Sequence, residues 1–594
     1  MPKIGKYNIN EIYTGGYSSL QPDFGGLYLG YNVRASTIGS PTSIQTANQL
    51  KEVSQRLNEG IVPIELQPLN PEVFDQIPKQ HFKEINRLAK LTGAKISLHA
   101  PIIEPSGMTK EGWSEISRQL AERQLNDVVE KALELDDKGR VPITIHSAGI
   151  PGKEYIMTPQ GRKIERLIVI NQETKKMVPL EEEKKFYPGE DLKNGVVFDV
   201  NRELRALNNS EWVNNLTNLE FYKKEADEVM RGALIPLAPI VAEENVNLRE
   251  LRPTPEQEAA FNQLGRAEIF MNNVETSFNS IFNKAYQFSD EKGKERLKKV
   301  SERWGIEGEK IEKEKEKNFA RAYILKSQLL DESIRGIKQI PPPKLYIPIE
   351  DFAMKHSTET IANVAFNAYK KHPDKSPQIN IENLYTGMAF SSGEEMKKFI
   401  LDSREKFVER ARKDGVSEGT ARQMAEKMIG MTLDVGHLNI YKKQGYTDED
   451  LLKEVKEISK FVKHVHLTDN FGYGDSHLPP GMGNVPFKKI LEELEKKGYQ
   501  GTKIVEAGAF VQHFQTSPHP YALEALGSPV YAMKMAPYWN QISNTYQGYY
   551  GGYGLMLPSI NYESFGGGFS QLPGELGGQR AGAGGSRMSG RPME

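Results

Sequence analysis

The stretch MTLDVGHLNIYKKQGYTDEDLLKEVKEISKFVKHVHLTDN, residues 431–470, decides the fold because it contains one complete strand–helix–strand unit. Residues 431–437 and 462–470 are short apolar runs typical of buried strands, and the segment between them has apolar residues at helical spacing. Two strands joined through a helix pair in parallel. Both runs end in histidine and aspartate, so polar side chains are expected at the C-terminal edge of the sheet.

The same unit recurs along the chain, and the number of units predicts a closed barrel. Six further strands are predicted, at residues 27–32, 62–67, 95–100, 141–147, 378–384 and 502–508. Together with 431–437 and 462–470 they make eight βα units, the number in a (β/α)8 TIM barrel of the α/β class. An open doubly wound sheet is the alternative, although no Gly-x-Gly-x-x-Gly motif follows the first predicted strand.

The barrel pattern is interrupted in the middle and is followed by a tail of different composition. Residues 1–150 carry the first four predicted strands and residues 346–515 the last four. Residues 151–345 are predicted to be a mostly helical insertion, in which TPEQ at 254–257 has the pattern of a capping box with proline at the first helical position. Because the insertion follows the C-terminal end of strand four, we expect it on the catalytic face. Residues 516–594 form a Gly/Tyr-rich extension whose end is expected to be disordered.

The composition excludes several classes of protein. The 594 residues include 77 Lys+Arg and 79 Asp+Glu, a balance that does not suit a protein coating a polyanion. The chain has no cysteine, which excludes disulfides, thiolate metal sites and cysteine nucleophiles. Its longest apolar run, residues 233–242, contains two prolines and is too short to span a membrane. We therefore expect a cytoplasmic protein with no membrane partner.

Histidines and carboxylates stand at the ends of six successive predicted strands, from the third to the eighth. Singly, each has an ordinary structural explanation: Asp434 could cap a helix, His464 is expected to be structural, and Asp469 and Asn470 are expected to fix their loop. Together they predict a metal site on the functional rim of the barrel, because imidazole and carboxylate without thiolate suit Zn²⁺ or Mn²⁺. The candidate ligands are His99, His146, Glu382, Asp434, His437, His466, Asp475, His477 and Glu506.

These motifs resemble the xylose isomerase-like TIM barrels grouped as AP endonuclease family 2, which include endonuclease IV and sugar-phosphate isomerases and epimerases. The resemblance rests on LHAP at 98–101, IHSAG at 145–149, IEN at 381–383, LDVGH at 433–437, HLTD at 466–469, DSHLPPGMG at 475–483 and VE at 505–506. The endonuclease IV branch implies that all nine candidates hold up to three zinc ions, with Glu382 bridging them. The epimerase branch implies one metal on Glu382, Asp434, His466 and Glu506.

The resemblance implies two enzymatic functions. The favoured one is hydrolysis of a phosphoester in abasic-site DNA or a phosphorylated sugar, because nine ligands suit the stabilisation of attacking and leaving oxygens. The alternative is isomerisation or epimerisation of a sugar or sugar phosphate, with Glu382 and Glu506 as the catalytic acid–base pair on one metal. A non-catalytic scaffold is the third hypothesis. The chain departs from endonuclease IV at Ile102, where that enzyme has an aromatic residue after LHAP.

Overall fold

The computed structural model describes residues 35–508 apart from 111, 148, 190–192, 194, 243–252 and 376, a few residues between 518 and 526, and a short hairpin of Gly585–Ser586 with Arg591–Pro592. The described residues up to Ile168 and from Ile349 onward form one compact unit, and Val169–Pro348 form another. The segment 27–32, predicted as the first strand, lies outside the described residues, and so does nearly all of the 516–594 extension.

Eight parallel strands close into a barrel within the first unit. They are β1 (Ile38–Pro41), β2 (Pro63–Leu66), β3 (Lys95–His99), β4 (Pro142–His146), β5 (Gln378–Glu382), β6 (Ile429–Asp434), β7 (Val462–Leu467) and β8 (Lys503–Val505). Each strand pairs with its neighbours in chain order, and Ile38 of β1 beside Lys503 of β8 closes the ring. The predicted TIM barrel is confirmed, and the open doubly wound sheet is wrong.

The position of β1 corrects the sequence prediction. The first strand of the barrel is Ile38–Pro41, which follows the predicted segment 27–32 in the chain and has the sequence IGSP. It contains Gly39 because β2 approaches closely: a Cβ there would lie 2.4 Å from the carbonyl oxygen of Pro63. A four-residue strand with glycine and proline lacks the β-branched pattern on which the prediction depended.

Amphipathic helices surround the barrel and bury its strands. All six residues of β6 are buried, as expected for a parallel strand covered by helices. The helix Gly393–Lys413 starts at a capping box of Ser392 and Glu395 and buries Phe399 and Phe407, each worth about 1.5–3 kcal/mol relative to exposure. The α-helices of this unit are Gln49–Asn58, Pro71–Asp75, Lys79–Thr92, Glu115–Ala132, Ile349–Lys371, Gly393–Lys413, Glu418–Met428, Val435–Asn439, Asp448–Ile458 and Phe487–Lys496.

The second unit has its own helical core. Its α-helices are Val200–Leu234, Ala238–Ala242, Pro255–Phe288, Glu291–Lys317 and Phe319–Lys338, and they pack around a cluster that includes Trp212, Leu264, Phe278 and Leu330. Pro255–Phe288 begins at the predicted capping box of Thr254 and Gln257. Within the described part of the chain, no helix has the combined length and apolarity needed to cross a membrane.

Short strands in the inserted segment were not predicted from the sequence. Glu154–Thr158 pairs antiparallel with Gly161–Asn171, and Glu183–Lys185 pairs antiparallel with Val196–Phe198. Tyr346–Pro348 pairs antiparallel with the end of Gly161–Asn171, to which Met177–Glu181 is also joined. The second compact unit therefore begins at Val169, later than the predicted start of the insertion at residue 151. Its location on the catalytic face stays a prediction.

Candidate metal centre

The parallel register of the barrel gathers the predicted ligands at one end of the strands. Glu382, the last residue of β5, lies beside His146, the last residue of β4, and Asp434 of β6 lies beside His466 of β7. His99 ends β3, and Glu506 follows β8 directly. Each of the nine candidates belongs to a group of possible ligand atoms, and three of these groups, two of which share Glu382, together contain all nine.

The first group, called here the central group, consists of Glu382, Asp434, His466 and Glu506, all of them buried. One ligand atom from each lies within 4.8 Å of those of the other three. His466 Nδ1 is 2.8 Å from Glu382 Oε1 and 3.3 Å from Glu506 Oε1. Three carboxylates and one imidazole therefore face a common point.

The two carboxylate oxygens of Asp434 differ in their hydrogen bonding: Oδ1 accepts hydrogen bonds from the protein and Oδ2 accepts none from the described residues. Its Oδ1 accepts hydrogen bonds from the backbone N–H groups of Gly436 and His437, which caps the helix Val435–Asn439, and from the hydroxyl of Thr468. Gly436 is required for this contact, because a Cβ there would lie 1.9 Å from Thr468 Oγ1. Asp434 Oδ2 is buried and has no hydrogen-bond partner among the described residues. The aspartate thus caps a helix and still offers one oxygen to a ligand.

The second group consists of His99, His146 and Glu382. Nδ1 of His99 donates a hydrogen bond to the carbonyl oxygen of Ala100 at 2.8 Å, which leaves Nε2 pointing toward Glu382 Oε2 at 3.2 Å. His146 Nε2 is 3.3 Å from the same oxygen. Glu382 therefore belongs to both groups, with one oxygen facing His466 and the other facing this histidine pair. The bridging role that the resemblance implies for Glu382 stays a prediction.

The third group, called here the loop group, consists of His437, Asp475 and His477. Nδ1 of His437 donates to the carbonyl oxygen of Asn383 at 2.8 Å, so its Nε2 faces Asp475 Oδ2 at 3.3 Å. His477 Nε2 lies 2.9 Å from the same oxygen. His477 has a φ of 45°, a left-handed conformation that is uncommon for non-glycine residues, although histidine adopts it more readily than most.

Asp469 holds the loop that carries Asp475 and His477. Its carboxylate accepts four backbone N–H groups, from Asn470, Gly481, Gly483 and Val485, at 2.8 to 3.1 Å. Burial raises the pKa of Asp469 to about 6, although these four hydrogen bonds oppose the rise. Asp469 fixes its loop, as the sequence analysis expected. Asn470 does so too, since its side-chain amide donates to the carbonyl oxygen of Gly436 at 2.8 Å.

Sequence reasoning missed two further members of the site, both on or just after β2. Glu65 Oε1 lies 2.9 Å from His466 Nε2, and Glu65 Oε2 lies 2.8 Å from His464 Nε2. Gln67 donates from Nε2 to Glu506 Oε1 at 2.7 Å. The signal was present in the sequence: Glu65 and Gln67 are two residues apart in an otherwise apolar run, a spacing that puts both on one face of the strand.

The charges of the central group are strongly coupled. Burial by itself would raise the pKa of Glu382, but the attraction of His466 and hydrogen bonds from His146 and His466 hold that pKa well below its ordinary value. Burial also raises the pKa of Glu506; His466 opposes this rise, and the repulsion of Glu382 adds to it. For His466, burial would lower the pKa, and the neighbouring carboxylates Glu506, Glu65 and Glu382 raise it well above its ordinary value.

The residues of the central group fit a divalent cation. Three buried carboxylates against one imidazole leave an excess of negative charge, and an uncompensated buried charge costs several kcal/mol. The unpartnered Asp434 Oδ2 is an acceptor that a cation would satisfy. Oxygen and nitrogen donors of this kind are those that Zn²⁺ and Mn²⁺ take in proteins.

Comparisons with known proteins confirm the superfamily that the motifs resemble. The family model described as xylose isomerase-like TIM barrel matches residues 414–526, which include six of the nine candidate ligands. An uncharacterised protein of Methanocaldococcus jannaschii is 34% identical over 85 residues, which are 14% of this chain and 28% of that protein. Fructoselysine 3-epimerase of Shigella flexneri is 28% identical over 78 residues, 13% of this chain and 27% of that protein. The chain spans about a quarter of the length of these curated relatives.

Solved structures similar to this chain include a D-tagatose 3-epimerase-like protein and an L-ribulose 3-epimerase. The D-tagatose 3-epimerase-like protein has a TM-score of 0.36 at 13% identity, with 82% of this chain and 97% of that chain covered. L-ribulose 3-epimerase has a TM-score of 0.35 at 11% identity, with 86% and 99% covered.

Proposed function

We propose, given that residues 414–526 match the family model of the xylose isomerase-like TIM barrels, that the chain is a divalent-metal-dependent sugar epimerase or isomerase. The observation that carries the proposal is the geometry of the central group, in which Glu382 and Glu506 approach the same nitrogen of His466 at 2.8 and 3.3 Å. Two carboxylates at one cation site are what a reaction needs when a proton leaves a carbon atom and returns to it. Phosphorylated and unphosphorylated ketoses are both within this proposal.

The two glutamates divide the proton transfer between them. When bound, a divalent cation polarises the neighbouring carbonyl and hydroxyl oxygens of a sugar, which makes the adjacent C–H group more acidic. One glutamate then accepts the proton from that carbon, and the other donates a proton to the opposite face, so that the configuration is inverted and no net proton is consumed. Gln67, which donates to Glu506 Oε1 at 2.7 Å, holds that carboxylate in position.

The choice of a sugar substrate is supported by the sequence match to a sugar epimerase, fructoselysine 3-epimerase. The match covers 27% of that protein, so the substrate is proposed as a class. Ketoses fit this class, since they have a carbonyl group next to a carbon that bears both a hydroxyl and a removable proton.

Hydrogen exchange tests this proposal directly. The metal-loaded chain is incubated in D2O with D-tagatose, L-ribulose or fructoselysine and with the phosphates of the first two sugars, and deuterium incorporation and epimer formation are followed by NMR. We expect both with at least one ketose, and a loss of at least about a hundredfold in rate for Glu382→Gln and Glu506→Gln. Glu350→Gln is the matched control, because Glu350 is equally buried but belongs to none of the described ligand groups. Absence of exchange across the panel in the metal-loaded protein would contradict the proposal.

A second candidate function is hydrolysis of a phosphoester, in abasic-site DNA or in a phosphorylated sugar. The observation that favours it is the presence of the histidine pair and the loop group beside the central group, which together give nine ligand side chains. A proton shuttle on one cation needs only the four residues of the central group, whereas three cations suit the charge of a phosphoester in its transition state. The test is cleavage of an abasic-site duplex together with elemental analysis. Three zinc ions per chain and cleavage would favour hydrolysis, and one metal with ketose exchange would reject it.

A further inference from the structure

Behind His466, on the side away from Glu382, lies a buried polar pair formed by Glu65 and His464. Glu65 Oε1 is 2.9 Å from His466 Nε2, an ion-pair distance, although the alignment is too bent for a regular hydrogen bond. Glu65 Oε2 is 2.8 Å from His464 Nε2 and accepts a hydrogen bond from Ser97 Oγ at 2.8 Å. All four side chains are at most 3% exposed. Acid and base therefore alternate through the barrel interior, from Glu382 through His466 and Glu65 to His464.

We infer that Glu65 and His464 are positioning residues that hold His466 with Nδ1 directed at the proposed cation site. This inference rests on the proposed function, because it requires the central group to bind a cation. A histidine ligand must present a lone pair on one ring nitrogen, and the proton on the other nitrogen is normally held by a carboxylate or a carbonyl oxygen. His99 and His437 use carbonyl oxygens for this purpose. His466 has Glu65 in the corresponding position.

To hold His466 in position, the buried carboxylate of Glu65 requires hydrogen-bond partners that compensate its charge. A carboxylate buried to this degree costs several kcal/mol unless its charge and its lone pairs are compensated. His464 and Ser97 both approach Oε2, so that Oε1 remains available to His466. His464 thus supports the charge and position of Glu65, and its ring also lies edge to face with the ring of His466 at a centroid distance of 5.3 Å.

The surroundings of His464 permit a test by substitution. His464 lines a cavity of about 470 Å³ together with residues that begin other strands of the barrel, among them Lys95, Pro142 and Gln378. These residues lie at the N-terminal ends of the strands, opposite the rim that carries the ligands. A glutamine at position 464 can therefore be accommodated without overpacking, and the substitution leaves the four side chains of the central group themselves unchanged.

The experiment measures Mn²⁺ binding to chelator-treated protein by isothermal titration calorimetry, at a temperature where circular dichroism shows each variant to be folded. Glu65→Gln keeps the shape of the side chain and removes its charge. We expect it to raise the Mn²⁺ dissociation constant by roughly 10- to 100-fold, the usual effect of removing a group that orients a ligand. His464→Gln and Ser97→Ala should each raise it by roughly fivefold, the equivalent of about one hydrogen bond. Glu350→Gln, the control, should leave it unchanged.

The combinations distinguish positioning from a purely structural role. If the pair acts on His466 as one unit, the Glu65→Gln/His464→Gln double variant should bind Mn²⁺ about as weakly as Glu65→Gln alone. Folded Glu65→Gln with wild-type affinity would overturn the inference, even if its thermal stability were lower. If Glu65→Gln does not fold, wild-type affinity in both His464→Gln and Ser97→Ala would overturn it. Failure of the wild-type protein to bind Mn²⁺, or Zn²⁺ in a parallel titration, would instead contradict the proposed function.

Discussion

Glu382 Oε1 lies 2.8 Å from His466 Nδ1, although the two residues are 84 positions apart and stand on β5 and β7, which are not neighbouring strands. The contact spans the end of the barrel in front of β6, whose last residue is Asp434. Only the closed barrel brings these strand ends together, and Glu506 after β8 completes the group. The predictions below follow from this arrangement and from the loop beside it.

Removal of the metal should destabilise the barrel. A cation that binds only the folded chain stabilises it by about 2.7 kcal/mol when its free concentration is one hundred times its dissociation constant. We therefore expect the thermal midpoint of the barrel unit to fall after chelation and to recover on addition of Zn²⁺ or Mn²⁺, as measured by differential scanning calorimetry. Equal midpoints in chelator and in excess of either metal would contradict this prediction.

The loop group should bind a cation of its own if the nine ligands act together. Asp475→Ala/His477→Ala removes two of the three loop-group side chains and leaves the central group complete. We expect the double variant to lose about one metal ion per chain by elemental analysis and to retain the ion of the central group. An unchanged metal content, with ketose exchange preserved, would favour the single-cation epimerase.

Asp469 should control the loop group indirectly. Asp469→Ala leaves four backbone N–H groups, those of Asn470, Gly481, Gly483 and Val485, without their acceptor. A buried donor left without a partner costs about 1–3 kcal/mol. We expect a lower thermal midpoint and a metal content reduced like that of Asp475→Ala/His477→Ala. If Asp469→Ala loses stability but keeps every metal ion, the loop group does not depend on this anchor.

Glu350 should make the stability of the barrel unit depend on pH. Burial raises the pKa of Glu350 to about 7; the attraction of Lys153 opposes this rise, and the repulsion of Glu395 adds to it. Since the folded-state pKa lies above the ordinary value of 4.5, the folded chain holds this proton more tightly than the unfolded chain does. The contribution of Glu350 to stability is therefore lost as pH rises from 4.5 through 7.

The measurement compares wild type with Glu350→Gln by thermal unfolding between pH 4.5 and pH 8. The free energy of unfolding of the variant should rise relative to that of wild type over this interval. The expected gain is about 3 kcal/mol if folding raises the pKa of Glu350 from 4.5 to about 7. A constant difference between the two proteins across the interval would mean that Glu350 ionises normally.

The barrel and the nine candidate ligands could be predicted from the sequence because both depend on local patterns. Runs such as 431–437 and 462–470 indicate buried strands, and a histidine or carboxylate at the ends of six of the eight strands indicates where the functional rim lies. β1 could not be predicted, because Gly39 and Pro41 remove the β-branched signal and the need for Gly39 arises only from its contact with Pro63.

Other features depend on contacts between distant parts of the chain. Glu65 lies 399 positions from its partner His464, so the spacing of Glu65 and Gln67 indicates a shared face of the strand but not the contact with His464. The strands between residues 154 and 198 are only partly buried and contain many charged residues, so the hydrophobic alternation that predicts strands is weak there. In both cases the feature is stabilised by tertiary contacts, which a local sequence pattern does not show.

Anomalous diffraction from crystals of the Zn²⁺- or Mn²⁺-loaded protein, collected at the absorption edge of the metal, tests the central claim most directly. The account predicts a peak about 2.0–2.2 Å from one carboxylate oxygen each of Glu382, Asp434 and Glu506 and from Nδ1 of His466. A metal-loaded crystal without a peak among these four side chains, or with peaks only at other positions, would contradict it.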